Sequence, residues 1–467
     1  MDRGPGTRAL VVGLKKSGLA AVKLLAGLGA EVRATDLKPL EDLPGAAEAV
    51  ERFHIRFARQ TPEVFEGVNL IVLSPDVPAD LPALEEARAR GVEVIGEVEL
   101  AAPFLRGRTI GVTGSNGKTT TTSLIGHILR SAGVPVQVGG NIGTAVCDMI
   151  ETSREDGWNV LELSSFQLET ISTFRADIGA ALNVTQNHLD RHHTFERYAA
   201  AKGRLFETQK AGDLAILNAD DPVSSAYGAR TAAEVQWFSG RSHGKPDATL
   251  RGDKVVLFGE VLMGAGEVPI RGRHNLENVM AAALAAARAG VGRAEIAAAV
   301  RTFHAVEHRL EFVRQIGGID FYNDSKATSV DATLKALDAF DGGLWVILGG
   351  KDKGLDYSML REPLAAKAHA ALLIGAAAGK IGAALAGAVP LVDAKTLREA
   401  VEYGYRNGGP GDTVLLAPAC ASFDQFRSFE HRGEVFKEIV NGLPPRQTEK
   451  RPDGDADESK EAQCHNA

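Results

Sequence analysis

Short runs of Val, Ile, Leu and Ala recur along the chain, each ending in Gly, Ser, Asn or Asp and followed by an Ala-rich stretch with helical spacing. A brief apolar run bounded by such breakers reads as a buried strand, and the stretch after it as the helix that returns across the sheet. The runs predict strands that include Ala9–Val12, Leu70–Leu73, Thr109–Val112, Val160–Leu163, Ile178–Leu182, Leu214–Leu217, Leu344–Leu348, Ala371–Ile374 and Thr413–Leu416. Strands alternating with helices build parallel α/β sheets, whose ligands sit beyond the carboxyl ends of the strands. Chemistry is therefore expected in the residues just after each strand.

Two breaks divide the pattern. Near residue 100 one set of units ends, and a new strand begins after Pro103-Phe-Leu-Arg-Gly107. Near residue 305 two helical stretches, Leu276–Ala289 and Ala294–Phe303, give way to His304-Ala-Val-Glu-His-Arg-Leu-Glu-Phe-Val313, which opens new strands. At about 150 residues per domain, 467 residues suggest three domains. The expected segments are 1–100, 101–305 and 306–443. From 444 to 467 almost no large apolar residue remains, and a disordered tail is expected because nothing there offsets the entropy of ordering.

Composition narrows the class. With 44% apolar and 24% charged residues the chain reads as soluble and globular. No apolar stretch approaches the roughly 20 residues that cross a bilayer, and the N-terminus has no export-signal pattern. Cys147, Cys420 and Cys464 lie far apart, in neither disulfide nor zinc spacing, which fits a reducing cytoplasm. Net charge is -8 with no basic block, which argues against nucleic acid as a partner and leaves room for a compact anion.

The strongest motif is Gly111-Val-Thr-Gly114-Ser115-Asn116-Gly117-Lys118-Thr119-Thr120, between an apolar strand and a helix. It relaxes the G-x-x-x-x-G-K-[ST] phosphate loop by one residue, since Val112 stands where the strict pattern places glycine. The physics is intact: backbone N–H groups and a helix N-terminus cradle phosphates, Lys118 neutralises the outer ones, and the Thr119 hydroxyl can ligate Mg²⁺. A second loop, Gly13-Leu-Lys-Lys-Ser17-Gly18, is followed by Asp36 at the end of the next strand. Lys15 stands where a dinucleotide fingerprint needs glycine. The loop can bind a diphosphate at the helix start by Ser17 and Gly18, with Asp36 accepting from a sugar or base; the alternative is an ordinary turn with Asp36 as a helix cap.

Glu162, in Leu161-Glu-Leu-Ser164-Ser-Phe-Gln167, lies at a strand end, where a nucleotide-bound Mg²⁺ is usually held. In Asn183-Val-Thr-Gln-Asn-His188-Leu-Asp-Arg-His192-His193, His188 is the better ligand or base, while His192 and His193 read as solvated loop residues. Lys202, in Tyr198-Ala-Ala-Ala-Lys202, reads in isolation as a surface lysine. Three polar loops follow strands in the last third: Tyr322-Asn-Asp324-Ser-Lys326-Ala-Thr328, Gly349-Gly-Lys-Asp-Lys353-Gly354, and Ala417-Pro-Ala-Cys420-Ala-Ser422-Phe423-Asp424. Together they mark a face that recognises an anion, although each alone could be capping chemistry. Ser422, between Cys420-Ala421 and Phe423-Asp424, is not the serine of a G-x-S-x-G elbow, and Cys420 reads as packing.

Taken together, GSNGKTTTT, LELSSFQLE, NVTQNHLDRH, YAAAK, GRHNLEN, HRLE, NDSKAT, GGKDKG and APACASFDQFRSFEHRG resemble the bacterial Mur ligases across residues 8 to 443, and within them the member that adds D-glutamate. The resemblance implies an α/β chain of three domains: an N-terminal Rossmann-like domain for a UDP moiety, a central P-loop-type ATPase sheet, and a C-terminal Rossmann-like domain for the amino acid. It implies a cytoplasmic enzyme of peptidoglycan synthesis that uses ATP to join D-glutamate to UDP-N-acetylmuramoyl-L-alanine through an acyl phosphate. It further implies two Mg²⁺ ions, with Thr119, Glu162, His188 and a carbamylated Lys202 as metal ligands, and Lys118, His188 and Lys202 as the catalytic set. Asn275, Asn278, Arg309, Asp324 and Lys326 would join the phosphate loop at ATP. Asn141 and Ser164, with Ser17, Gly18 and Asp36, would meet the UDP substrate, and Thr328, Lys353, Ser422 and Phe423 the D-glutamate. No nucleic-acid or membrane partner is expected, and the chain is expected to act as a monomer. Lys15 and Asp76 depart from the family pattern near the UDP moiety. A folylpolyglutamate synthetase-like ligase leaves residues 1 to 100 unexplained. A nicotinamide-dependent dehydrogenase leaves GSNGKTT unexplained, and a P-loop transport or switch ATPase leaves NDSKAT and ACASFDQF.

Overall fold

The computed structural model describes residues 3–43, 45–304 and 307–446. The chain folds as two compact units, Met1–Val306 and Glu307–Ala467. Among the described residues no helix is long and apolar enough to cross a membrane.

The first unit holds two sheets. Strands β1 (Arg8–Val12), β2 (Glu31–Asp36), β3 (Arg56–Arg59), β4 (Leu70–Leu73) and β5 (Glu93–Gly96) form a parallel sheet in the order β3-β2-β1-β4-β5. Its strands read as unbroken apolar runs because both faces are covered: Ala9 and Val11 pack into one cluster with Leu70 and Val72, while Leu10 and Val12 pack into another with Ile71 and Leu73. The strand order reverses between β1 and β4, which opens a crevice at their carboxyl ends. A short helix, Glu97–Ala101, leads directly from β5 toward the second sheet.

The second sheet contains β6 (Arg108–Thr113), β7 (Val136–Gly140), β8 (Trp158–Glu162), β9 (Ile178–Ala181), β10 (Leu214–Asn218), β11 (Glu234–Ser239), β12 (Ala248–Arg251), β13 (Lys254–Leu257) and β14 (Glu260–Gly264), in the order β14-β13-β12-β11-β10-β9-β6-β8-β7. Helices Lys118–Ser131 and Arg273–Arg288 cover one face, where Leu124, Ile128, Val279 and Ala283 pack against Ile110 and Val112. The antiparallel ribbon β12–β14 extends the expected βα pattern. Its turns use Gly252 and Gly259, both at positive φ, a signal that apolar periodicity does not carry.

The second unit is a sheet of β15 (Glu311–Ile316), β16 (Ile319–Asn323), β17 (Leu344–Gly349), β18 (Ala368–Ile374), β19 (Leu391–Lys395) and β20 (Thr413–Leu416), in the order β15-β16-β20-β17-β18-β19. All pairings are parallel except β15 with β16, a hairpin closed by Gly317 and Gly318 with φ of 58° and 80°. Two central residues at positive φ give the turn whose twist matches a tight hairpin. Of the expected tail, Arg446 donates to the Gly408 carbonyl at 2.7 Å, so that Pro444 to Arg446 is tied to this unit. Residues 447–467, Cys464 included, lie outside the described residues.

Candidate functional site

In the first unit the expected phosphate loop joins β6 to helix Lys118–Ser131. Gly117 precedes the helix at φ 82°, and a Cβ there would collide with the Asn278 side chain. Asn278 and Asn275 are both buried and joined at 2.9 Å, so two of the predicted ATP residues form one floor beneath the loop. The loop's far side is held by Asn183, whose carbonyl accepts from Ser115 N at 2.8 Å and whose side chain accepts from Asn116 N at 2.9 Å. The Ser115 hydroxyl meets Tyr198 at 2.9 Å. Lys118 Nζ donates to the Gly114 and Ser115 carbonyls at 2.9 and 3.1 Å, and Thr119 and Thr120 are buried on the first turn. Asn183 supports the loop from the end of the neighbouring strand and Tyr198 from a distant helix, where sequence spacing gives no signal.

Glu162 ends β8 beside this loop. Its Oε1 accepts from Asn141 Nδ2 at 2.7 Å, while its buried Oε2 has no hydrogen-bond partner. An orphaned buried carboxylate oxygen is costly unless a cation takes it up, so the residue fits a divalent ion. Asn141, expected at the UDP substrate, thus orients a candidate metal ligand. Among the described residues no group of three His, Cys, Asp or Glu gathers to hold a metal, so an ion here would need hydroxyl, phosphate, water or modified-lysine oxygens as well.

Lys202 is only 1% exposed, which overturns its reading in isolation as a surface lysine. Helix Phe195–Gly203 carries it inward, its Nζ donating to the Gly114 carbonyl at 2.9 Å and lying 4.7 Å from the centre of the Tyr198 ring. Burial first, and then the nearby Lys118 charge, hold its amine well below the ordinary lysine range, with Glu162 pulling the other way. His188 stands at φ 53° on a loop that follows β9 after several residues, rather than at the strand end, with its ring edge-on to Phe166 at 5.0 Å.

The expectation that His192 is solvated is corrected. It is buried, with Nδ1 3.0 Å from Glu169 and Nε2 2.9 Å from Ser165, and its ring is stacked on Phe166. The turn Leu189–His192 points it inward, a placement that a polar run cannot reveal. His193 is exposed, against Asp80 at 2.9 Å. Ser164 caps the helix Ser165–Leu168, its hydroxyl accepting from Gln167 N.

At the crevice of the first sheet, Gly18 packs so closely on the Gly13 carbonyl that any Cβ would collide with it, and Ser17 lies on the same first turn. Asp36 accepts from Leu14 N at 2.8 Å and Lys38 N at 3.0 Å, so its carboxylate shapes the loop and caps no helix. Lys15 and Asp76, the two departures from the family pattern, pair with each other at 2.6 Å across the crevice mouth.

In the second unit the three polar loops leave adjacent strands, β20 lying between β16 and β17. Arg432, fully buried in helix Phe429–Asn441, fastens two of them: it donates to the Ser325 hydroxyl at 2.9 Å and carbonyl at 2.8 Å and to the Cys420 carbonyl at 3.2 Å. Lys351 N donates to the Ala421 carbonyl at 2.8 Å, tying in the third. Asp324 is buried near Arg309 and Lys326; burial prevails over both charges and pushes its carboxyl up to about 6. The Arg309 Nε is itself buried without a partner. Lys353 Nζ reaches the Thr328 carbonyl at 3.3 Å, which joins two of the predicted D-glutamate residues, and Ser422, on the loop after the neighbouring strand β20, is buried. Phe423 is 66% exposed, whereas Phe429 lies 5.5 Å from Lys326 Nζ. Sequence pattern does not mark Arg432 and Phe429 as site residues, because an arginine and a phenylalanine on an amphipathic helix look like surface and core.

Comparison with known proteins fits this arrangement. The family descriptions matching the chain are the MurD-like N-terminal domain of Mur ligases over residues 7–96, the Mur ligase middle domain over 112–286 and the Mur ligase glutamate ligase domain over 308–420. A UDP-N-acetylmuramoylalanine–D-glutamate ligase from Solibacter usitatus is 75% identical over 441 residues, 94% of this chain and 99% of the relative. One of the same name from Acidobacterium capsulatum is 50% identical over 93% of this chain and 96% of its own. Among solved structures, a UDP-N-acetylmuramate–alanine ligase from Thermotoga maritima shares the fold with a TM-score of 0.59 at 18% identity, covering 93% of this chain and 99% of that one. A pseudomurein peptide ligase from Methanothermus fervidus does so with a TM-score of 0.59 at 16% identity, over 93% and 99%. With all three segments matched in order and the phosphate loop, Glu162 and buried Lys202 gathered in the middle one, the chain belongs to the Mur ligase family.

Proposed function

We propose that the chain is an ATP-dependent ligase that joins D-glutamate to UDP-N-acetylmuramoyl-L-alanine in peptidoglycan synthesis, acting as a cytoplasmic monomer. The observation that carries the reading is the 75% identity, over nearly the whole of both chains, to a curated ligase of that name. Segments 1–100, 101–305 and 306–443 serve the UDP moiety, ATP and the amino acid in turn.

The chemistry follows from charge. The substrate's terminal carboxylate attacks the γ-phosphorus of ATP, a P–O bond to ADP breaks, and an acyl phosphate forms. The amine of D-glutamate then attacks the activated carbonyl, loses a proton and expels phosphate. Two anions must meet in the first step, and Lys118 with the phosphate-loop N–H groups lowers that repulsion. Two Mg²⁺ ions would supply further charge relief, one held by Thr119 and Glu162 and one by His188 and Lys202. Lys202 fits only if modified: an ammonium has no lone pair for a metal, whereas the neutral amine favoured by burial can add CO₂ to give an anionic oxygen donor. Asn275, Asn278, Arg309, Asp324 and Lys326 complete the ATP contacts. Ser17, Gly18, Asp36, Asn141 and Ser164 receive the UDP substrate, and Thr328, Lys353, Ser422 and Phe423 the D-glutamate.

Incubation with ATP, UDP-N-acetylmuramoyl-L-alanine and either enantiomer of glutamate tests the reading by mass of the product. A UDP-linked dipeptide is expected with D-glutamate and little with L-glutamate. No product with either would overturn it.

A further inference from the structure

The candidate metal ligand His188 and the wall of the UDP-substrate crevice are joined through the Arg191 side chain. Arg191 lies on the short turn Leu189–His192, whose backbone is anchored on His188: both Arg191 N and His192 N donate to the His188 carbonyl, at 3.1 and 3.0 Å. From that turn the Arg191 guanidinium reaches back to the first sheet, donating to the Val77 carbonyl at 2.7 Å and the Asp76 carbonyl at 3.3 Å. These carbonyls belong to the loop that leaves β4 at the strand-order reversal. That loop is fastened to the glycine loop of β1 by the Ser74 hydroxyl on the Gly13 carbonyl at 2.7 Å and by the Lys15–Asp76 pair. The guanidinium is fixed from two further sides, by Glu169 at 3.0 Å and by the Phe166 ring 4.9 Å from its centre. Phe166 also meets the His188 ring edge-on, and Glu169 also holds His192. The Arg191 side chain is 12% exposed, so these contacts are made largely out of water.

We propose that Arg191 is a positioning residue that registers the UDP-substrate crevice against His188, so that seating the substrate in the first sheet sets the geometry at the nucleotide. The proposal rests on the functional reading above. A planar guanidinium suits the task because its several fixed donors can serve two backbone carbonyls and a carboxylate at once, which an ammonium on a flexible stem cannot do with the same precision. A displacement of about 1 Å at a reacting centre costs on the order of a hundredfold in rate, so a crevice free to drift relative to His188 would show in kcat.

The test uses the full-length enzyme as wild type, Arg191→Ala, Arg191→Lys and His193→Ala. Two quantities are read: kcat at saturating substrates, and the factor by which UDP-N-acetylmuramoyl-L-alanine changes the affinity for a non-hydrolysable ATP analogue with Mg²⁺, measured by calorimetry. Coupling between two sites is commonly about 5- to 150-fold. Wild type is expected to show such coupling. Arg191→Ala is expected to lose about 10- to 100-fold in kcat and to bring the coupling to within about twofold of unity, while each ligand alone binds within about threefold of wild type. Arg191→Lys, which retains a cation and a donor to the loop, is expected to fall between. His193→Ala, which removes only the exposed neighbouring contact to Asp80, is expected to stay within about twofold of wild type in both. Unchanged coupling in the arginine variants, no coupling in wild type, or a loss shared equally by His193→Ala would overturn the proposal. An inactive wild type would instead overturn the functional reading.

Discussion

At Lys202, burial and chemistry make the same demand. A lysine that is 1% exposed, set beside Lys118 and donating to a loop carbonyl, keeps its charge at a cost, so its amine is displaced toward the neutral form that adds CO₂. Lys202→Ala is expected to lose at least about a hundredfold in kcat, the scale for removing one preorganised charged group. Millimolar formate or acetate is expected to restore part of it by supplying the missing oxygen donor. Lys202→Arg, charged but unable to ligate, is expected not to be rescued. Full activity of Lys202→Ala without any added carboxylate would contradict the role.

Among the elements, helix Glu97–Ala101 ties the two sheets of the first unit through its carboxylates. Glu99 is buried, yet hydrogen bonds from Thr173, Ser172 and Phe174 outweigh burial and hold it below the usual range. Glu97 goes the other way: burial pushes its carboxyl up to about 7, with Asp148 adding to the rise, although Cys147 N donates to it at 2.6 Å, and its Oε2 is buried without a partner. A carboxyl raised in the folded state stabilises fully below its unfolded value near 4.3, and that stability is lost as pH rises through about 7. Thermal unfolding is therefore expected to show wild type losing stability between about pH 4.3 and 7, by on the order of 3 kcal/mol from this group. Glu97→Gln is expected to flatten that slope, and an unchanged slope would contradict the assignment. This helix also marks where the sequence stops being informative. The buried strands were legible because Leu10, Val12, Ile71 and Leu73 form runs that only two covered faces explain. The phosphate loop was legible because its glycines and lysine are consecutive. The inward facing of His192 and Lys202, the Arg432 fastening and the Lys15–Asp76 pair depend on contacts between distant segments, which local pattern does not encode. The family resemblance assigns Phe423 to D-glutamate partly through its backbone, a role that an exposed ring permits.

On the scale of the whole molecule, the phosphate loop lies in the unit Met1–Val306 and the amino-acid candidates in the unit Glu307–Ala467, so the two substrates' affinities are expected to be separable by mutation. Lys353→Ala removes an exposed cation suited to the side-chain carboxylate of D-glutamate. It is expected to raise the KM for D-glutamate about 10- to 100-fold, the scale of a lost charged hydrogen bond, with the KM for ATP changed less than about threefold. A rise in the ATP value alone would place Lys353 elsewhere. In the proposed reaction the phosphate loop, with Lys118, activates a carboxylate by phosphorylation. Oxygen-18 in the terminal carboxylate of UDP-N-acetylmuramoyl-L-alanine tests it most directly, since the attacking oxygen must leave with phosphorus when the amine displaces it. The inorganic phosphate released in the presence of D-glutamate is expected to carry one labelled oxygen for each amide bond formed. Unlabelled phosphate accompanying amide formation would contradict it.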